Sequence, residues 1–304
     1  MPVRHAYLHG FASSSLSAKG QALRRYYERV ASQPGREPIE LLTPDLNFPS
    51  FAELTYTNML AAFDGFEAEL DARDAVEPGS TRWRLIGSSM GGWVASRWAE
   101  LHPERVERLV LLCPAFDFVT RWPVLLGQQA FEQWRERGSI PLAGGDKQVV
   151  DVHFELFRDA ERQPLRPVAR CPTIIVHGTR DDIVPITSSR EYAAAHANVD
   201  LVEVDDDHLL MRSLAPIEAI LDEFLLAPGT AERRAWWDFF GPSAAGTAEH
   251  FRVHLDEFLA RERLLGCTTG VEVHPEHRHA AAWCHTPAGQ LETLVRALKP
   301  RRVD

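Results

Sequence analysis

Gly87-Ser88-Ser89-Met90-Gly91 sets two adjacent serines between glycines. Only Ser89 satisfies the pattern Gly-x-Ser-x-Gly, because Ser88 would need a glycine at position 86, where Ile86 stands. The pattern suits a nucleophile on a sharp strand-to-helix turn. The serine there takes a strained backbone conformation, and small neighbours at Gly87 and Gly91 let strand and helix approach. With Gly and Ser each near ~7% of average composition, the bare pattern arises by chance in roughly one chain of this length in ten. Its setting, after an apolar strand pattern and before a helical one, is what gives it weight.

A serine hydroxyl attacks a carbonyl only with a base beside it, and the base needs an orienting carboxylate. Later strand ends supply both in the order Ser, Asp, His. Asp181 lies in HGTRDDIVP (residues 177–185), and His208 closes VEVDDDH (residues 202–208). Other readings stand beside these. Asp182 adjoins Asp181, Asp205 to Asp207 make a solvated acidic turn, His177 ends a strand, and His196 falls in a helix. The oxyanion of a tetrahedral intermediate needs two backbone donors. Met90, the residue after the nucleophile, supplies one, and Phe11 in the loop LHGFASS (residues 8–14) supplies the other, with Gly10 letting that loop pass close.

These residues require a scaffold that brings several strand ends together. Strand patterns cover residues 3–8, 39–43, 82–87, 106–113, 172–177 and 199–204. Helical patterns cover 17–30, 51–73, 90–101, 187–197 and 213–226. Short apolar strands alternating with helices imply a parallel sheet covered on both faces. One interruption, residues 117–170, is too long for a simple connection. It carries helical stretches at 124–137 and 149–161 around the turn Gly144-Gly145. It follows a strand's carboxyl end, where open α/β sheets bind ligands. The expectation is therefore a small helical lid, with Phe116, Trp122 and Trp134 walling an acyl pocket.

After a linker at LLAPGTAERR (residues 225–234) the pattern changes. Strands at 235–240, 268–274 and 280–284 and helices at 247–264 and 287–298 give β-α-β-β-α, a ferredoxin-like unit short of its last strand. Phe251, Leu255, Phe258 and Leu259 form the apolar stripe of the first helix, and Thr286 and Pro287 open the second. The domains expected are thus residues 1–228 and 229–304. His250, His254, His274, His277, His279 and His285 crowd the second, but without HExxH or a CxxC pair they read as polar surface, and no metal is assigned. This domain packs on the first, dimerises, or borders the substrate entrance.

Of 304 residues, 45% are hydrophobic and 25% charged, which suits a soluble globular protein with a sizeable core. A net charge of −10 without a basic, aromatic-interleaved cluster argues against nucleic acid and anionic membranes as partners. The start MPVRHAYLHGF runs directly into a strand pattern, no apolar run is long enough for a membrane helix, and the four cysteines are scattered. A cytoplasmic setting with reduced thiols is expected.

YLHGFASSSLSAKG (residues 7–20) together with LIGSSMGGW (residues 85–93) resembles the α/β-hydrolase superfamily and, within it, the small YqiA-like serine esterases. The resemblance covers about residues 3–226. It implies a Ser89–His208–Asp181 triad, oxyanion amides from Phe11 and Met90, no cofactor, and hydrolysis of a small-molecule ester or thioester. Two departures stand out: the first two strands of the larger fold are missing, leaving about six, and the tail lies outside the pattern. The function expected is a carboxylic ester hydrolase for small apolar acyl groups. A thioesterase, acyltransferase or cofactor-free perhydrolase with the same triad is the alternative, and a non-catalytic binding module built on the fold is a third reading.

Overall fold

Short apolar segments pair edge to edge in the computed structural model, which describes residues 2–34, 38–226, 233–262, 264–274, 276, 278–286 and 288–303. The first are β1 (Val3–Leu8), β2 (Leu41–Leu42), β3 (Arg82–Ser88) and β4 (Val106–Leu112). The insertion after β4 contributes β5 (Ser139–Ala143) and β6 (Val149–His153), and the main sheet resumes with β7 (Thr173–Gly178) and β8 (Val199–Val204). The six strands of that sheet lie in the order β2-β1-β3-β4-β7-β8, and the registers linking β2, β1, β3, β4 and β7 are all parallel. Leu8, Leu85, Ile86, Leu111 and Ile175 are wholly buried, as strands covered on both faces must be. Each such side chain contributes about 1.5–3 kcal/mol. This is an α/β-hydrolase sheet of six strands, and its carboxyl edge carries the residues of interest.

The connecting helices are α1 (Ala18–Ala31), α2 (Tyr56–Arg73) and α3 (Met90–Leu101). The insertion follows with α4 (Phe118–Leu126), α5 (Gln128–Arg137) and α6 (Glu155–Ala160), and then come α7 (Ile186–Ala195) and α8 (Leu214–Ile220). α2 begins at Tyr56 rather than 51, because the Thr55 side chain caps it by accepting from the Asn58 N–H at 3.0 Å. After α8 the chain continues as a π-helical turn, Leu221–Leu225.

The insertion differs from the helical pair expected of it. Residues 149–153, read as the start of a helix, form β6 and pair antiparallel with β5. Val149, Val150 and Val152 are β-branched, and only Val152 of the strand is fully buried, an alternation that suits a hairpin better than a helix. The hairpin turns where the Lys147 N–H donates to the Gly144 carbonyl at 3.0 Å and the Gly144 N–H to the Gln148 carbonyl at 2.8 Å.

Residues 1–192 with 201–218 form one compact unit, and residues 193–200 with 219–304 a second. The second contains β9 (Arg233–Phe240), α9 (Ala244–Arg261), β10 (Thr268–His274), β11 (His279–Thr286), α10 (Ala288–Leu298) and β12 (Arg302–Val303). Its antiparallel sheet runs β10-β11-β9-β12. This completes the ferredoxin-like order that the sequence pattern leaves one strand short. β12 is only two residues long, pairing Arg302 with Trp236 and Val303 with Ala235, and too short to leave a periodic pattern. Ala235 and Trp237 of β9 join Leu255, Phe258 and Leu259 of α9 in the core of this unit. Residues 227–232 of the expected linker, residues 35–37, Pro287 at the expected helix start, and Pro275 and His277 lie outside the described residues.

Candidate active site

β3 ends at Ser88 and α3 begins at Met90, so Ser89 alone makes the turn between them. Its backbone sits at φ 54°, ψ −119°, a region non-glycine residues rarely occupy. Such a conformation costs about 1–3 kcal/mol and persists only where its surroundings over-determine it. Here the Ser89 N–H donates to the Leu112 carbonyl at 2.9 Å, and its own carbonyl accepts from Gly92 and Ala115, both at 2.9 Å. A Cβ on Gly91 would stand 2.2 Å from the Leu8 carbonyl oxygen, so α3 reaches the sheet only through a glycine there, and one on Gly87 would stand 2.6 Å from the Gly91 carbonyl oxygen. A Cβ on Gly10 would lie 3.0 Å from the Ser89 Cβ and 3.5 Å from Oγ, which places the loop after β1 directly against the serine. Ser89 is partly exposed, and its hydroxyl has no hydrogen-bond partner among the described residues.

That loop is fixed from below. His9 Nδ1 donates to the Gly10 carbonyl at 3.0 Å, while Nε2 accepts from the Leu46 N–H at 2.9 Å. Asn47 donates to the Ser13 carbonyl at 2.9 Å. Neither the Phe11 nor the Met90 N–H donates to an acceptor among the described residues, and Met90, first in α3, has no intrahelical acceptor to reach.

Asp181 follows β7 and His208 follows β8, and the two meet: His208 Nδ1 donates to Asp181 Oδ2 at 2.7 Å. The carboxylate is entirely buried, and the His208 side chain is 17% exposed. Asp181 Oδ1 accepts from the Ile183 and Val184 N–H groups at 3.0 and 2.8 Å. His177 also reaches Oδ2, with Nε2 at 3.2 Å. Burial alone would push this carboxyl up. Hydrogen bonds from His177, His208 and Val184 outweigh it and hold Asp181 well below the usual carboxylate range.

The structure also separates the two histidines. His177 is wholly buried, its Nε2 donates to the Val184 carbonyl at 2.9 Å, and its Nδ1 accepts from Ser189 Oγ at 2.8 Å. With both nitrogens engaged it has none left for a substrate or serine. His208 uses only Nδ1 and keeps Nε2 free among the described residues. In the sequence His177 reads only as the end of a strand, and nothing there signals its hold on Asp181, four residues on. The acidic turn is also not simply solvated. Asp206 is buried and accepts from the N–H groups of Asp207, Arg212 and Ser213, all at 2.9 Å, which folds the His208 loop into α8.

Cys113, His177 and Asp181 offer ligand atoms within 4.8 Å of one another. Their chemistry does not suit a cation. Burial raises the Cys113 thiol, both His177 nitrogens are spent, and the Asp181 oxygens already accept four hydrogen bonds.

The insertion touches the site. The Phe11 ring meets Trp122 edge-on at 5.2 Å, and a Cβ on Gly145 would lie 2.8 Å from the Ser13 carbonyl carbon. Each of the three aromatic residues expected to wall a pocket has a partner inside the fold. Trp134 is wholly buried in the insertion's own core, donating to the Val152 carbonyl at 2.8 Å, and Phe116 stacks on Tyr192 at 4.4 Å. Trp122 adjoins Phe11, and its indole N–H is buried without an acceptor. A cleft between Tyr56, Trp93, Phe118 and Leu165 holds little more than a water molecule and offers no room for an acyl chain.

Comparison with known proteins agrees with this architecture. The model of an uncharacterised protein family, UPF0227, matches residues 5–224. The palmitoyl-protein thioesterase ABHD10, mitochondrial, of Homo sapiens is 31% identical over 147 residues, 45% of this chain and 47% of that protein. The pimeloyl-[acyl-carrier protein] methyl ester esterase of Chromobacterium violaceum is 28% identical over 152 residues, 40% of this chain and 60% of its own. The chain thus spans about half the length of the curated relatives it matches. Among solved structures, mouse alpha/beta hydrolase domain-containing protein 10 superposes with a TM-score of 0.55 at 21% identity, covering 74% of this chain and 90% of its own. Est1E from Butyrivibrio proteoclasticus with ferulic acid bound gives 0.58 at 19%, covering 74% and 88%. At these identities the superpositions establish the fold.

Proposed function

The chain belongs to the uncharacterised protein family UPF0227, on an α/β-hydrolase fold, and from that premise we propose that it is a serine hydrolase cleaving carboxylic esters of small apolar acyl groups. The observation that carries the reading is the pair His208–Asp181 at 2.7 Å, with one imidazole nitrogen fixed and the other free among the described residues, on the sheet edge that holds the strained Ser89.

In this reading His208 Nε2 takes the Ser89 hydroxyl proton as Oγ attacks the ester carbonyl. Asp181 keeps the imidazole in the Nδ1–H tautomer and stabilises its charged form. The Phe11 and Met90 amides receive the oxyanion. His208 then gives the proton to the leaving alcohol, and water, activated by the same nitrogen, releases the acid and restores Ser89. In this reading the hydrogen bond from Ser89 Oγ to His208 Nε2 forms with substrate bound, as is common in such sites. Apolar side chains exposed on the loops of this edge and on the insertion, namely Leu16, Phe48, Val124, Ile183, Leu209 and Met211, support an apolar acyl group.

A thioester substrate is the second reading, favoured by the name of the human relative. Matched oxygen and thiol esters, with competing alcohols and peroxide, distinguish esterase, thioesterase, acyltransferase and perhydrolase. The reading places the hydrolase in residues 1–228 and leaves residues 229–304 as a second domain that packs, dimerises or borders the entrance. No disulfide joins the four cysteines, which supports a reducing, cytoplasmic setting; no helix of the described residues is long and apolar enough to cross a membrane. The test is intact mass after a fluorophosphonate. One adduct on the native chain and none on Ser89→Ala is expected; no adduct on the native chain would overturn the reading.

A further inference from the structure

Lys19 is a buried cation that the mechanism above does not use. Its side chain lies in the first turn of α1, only 7% of the residue is exposed, and Nζ donates to Ser88 Oγ at 3.0 Å. The same Nζ reaches the backbone carbonyl of His208 at 3.5 Å. One ammonium thus spans the residue before the candidate nucleophile and the residue that carries the candidate base. The first ends β3 and the second lies in the loop after β8, far apart in the chain.

The surrounding residues hold this lysine in place. Ser17 caps α1 by accepting from the Gly20 N–H at 3.2 Å. A Cβ on Gly20 would stand 2.8 Å from the Tyr7 ring, so the helix start lies flat on β1. The Tyr7 hydroxyl faces both Ser17 and Ser88. Ser17, Lys19 and Gly20, three residues of the segment LSAKG, therefore each make a contact under the turn that carries Ser89. Burying an ammonium is costly unless acceptors and counter-charges repay it. The groups facing it are the Ser88 hydroxyl from β3, the His208 carbonyl, the Cys113 thiol after β4, the Asp181 carboxylate after β7, and the Asp206 and Asp207 carboxylates before His208. Burial pushes the Lys19 ammonium down and these acidic groups hold it up. A surface lysine would avoid that conflict, and no packing need explains a charge here where a methionine would fill the space.

We propose that Lys19 is a positioning residue that clamps the His208 loop to the Ser88–Ser89 turn and sets the register of base against nucleophile. The proposal rests on the hydrolase reading above. It also accounts for Ser88, whose hydroxyl is the acceptor through which the clamp grips the turn.

The test compares native protein with Lys19→Met, Lys19→Gln and Ser88→Ala, measuring kcat and KM on an activated ester and the rate of fluorophosphonate labelling against pH. Lys19→Met keeps the volume and removes both donor and charge. It should lower kcat about 10- to 100-fold, with KM within about twofold, because a misplaced base costs the chemical step rather than binding. The labelling rate should fall in step with kcat at every pH, because the clamp acts on geometry. Lys19→Gln restores a donor without charge and should recover part of kcat. Ser88→Ala breaks the clamp from the other side with the lysine intact, and should lower kcat with KM again within about twofold; it serves if the Lys19 variants fold poorly by circular dichroism. Native kcat in folded Lys19→Met, or native kcat in Ser88→Ala, would overturn the clamp while leaving the hydrolase reading in place. Failure of the native chain to label at Ser89 would overturn both.

Discussion

Histidines gather in both units of this chain, in two unlike ways. In the first unit, His177 and His208 come from different strand ends and converge on one buried carboxylate, Asp181. In the second, His250 and His254 are neighbours on α9, exposed, with their Nε2 atoms 3.1 Å apart and His254 Nδ1 against the exposed Glu257 at 3.0 Å. Any amphipathic helix produces the second arrangement from spacing alone. The first requires the whole sheet to form, and among the described residues it leaves one nitrogen of one histidine free while spending every other. A cluster of histidines is therefore weak evidence for chemistry; an asymmetric pair on a buried acid is much stronger.

The largest effects should separate the two clusters at once. Ser89→Ala and His208→Ala should each lower kcat/KM by about 10³- to 10⁵-fold on a carboxylic ester, with little change in fold. A residual rate above about a tenth of native in either variant would break the contrast. Asp181→Asn comes next, with a loss of about 10³- to 10⁴-fold, since an amide accepts poorly from Nδ1 and disturbs the tautomer.

The same acid gives a stability prediction. Asp181 has a folded carboxyl held below its unfolded value. Its contribution is therefore fully present above about pH 4, the unfolded carboxylate range, and is lost as pH falls from there towards the folded value. Urea unfolding at pH 5 and pH 3 should show a larger drop for the native chain than for Asp181→Asn; equal drops would mean that this carboxylate is not unusually stabilised.

His177→Phe tests the other half of the pair and should act in smaller measure. It strips one donor from Asp181 and leaves Ser189 and the Val184 carbonyl without their partner, costing about 1–3 kcal/mol of stability. Activity should fall about 3- to 10-fold where the protein is folded, far less than for His208→Ala. Equal losses in the two variants would mean that the free nitrogen is not what distinguishes them.

The sequence discloses what depends on local spacing or chain order. Gly87, Ser89 and Gly91 are legible because the turn is a local steric problem, and Asp181 and His208 because successive strands deliver their ends to one edge. His177, Lys19 and Asp206 stay hidden because their partners are set by burial and by contacts across strands. His177 looks like any strand end, Lys19 like any helix residue, and Asp206 like one of three exposed acids. The hairpin of β5 and β6 escapes the periodicity because five residues around a Gly-rich turn support either period, and β12 escapes it because two residues support none.

The smallest expected effect is the sharpest test of the contrast. His250→Ala with His254→Ala removes two histidines from exposed positions on α9, where they contact one another and His254 contacts the exposed Glu257 rather than a buried acid. Such exposed contacts are worth little, so stability should stay within about 0.5 kcal/mol of native. Ester hydrolysis and fluorophosphonate labelling should be unchanged, with and without a chelator. A fall in activity of more than about threefold would mean that the two clusters are coupled, and that the second unit bears on the chemistry in a way exposure and spacing alone do not reveal.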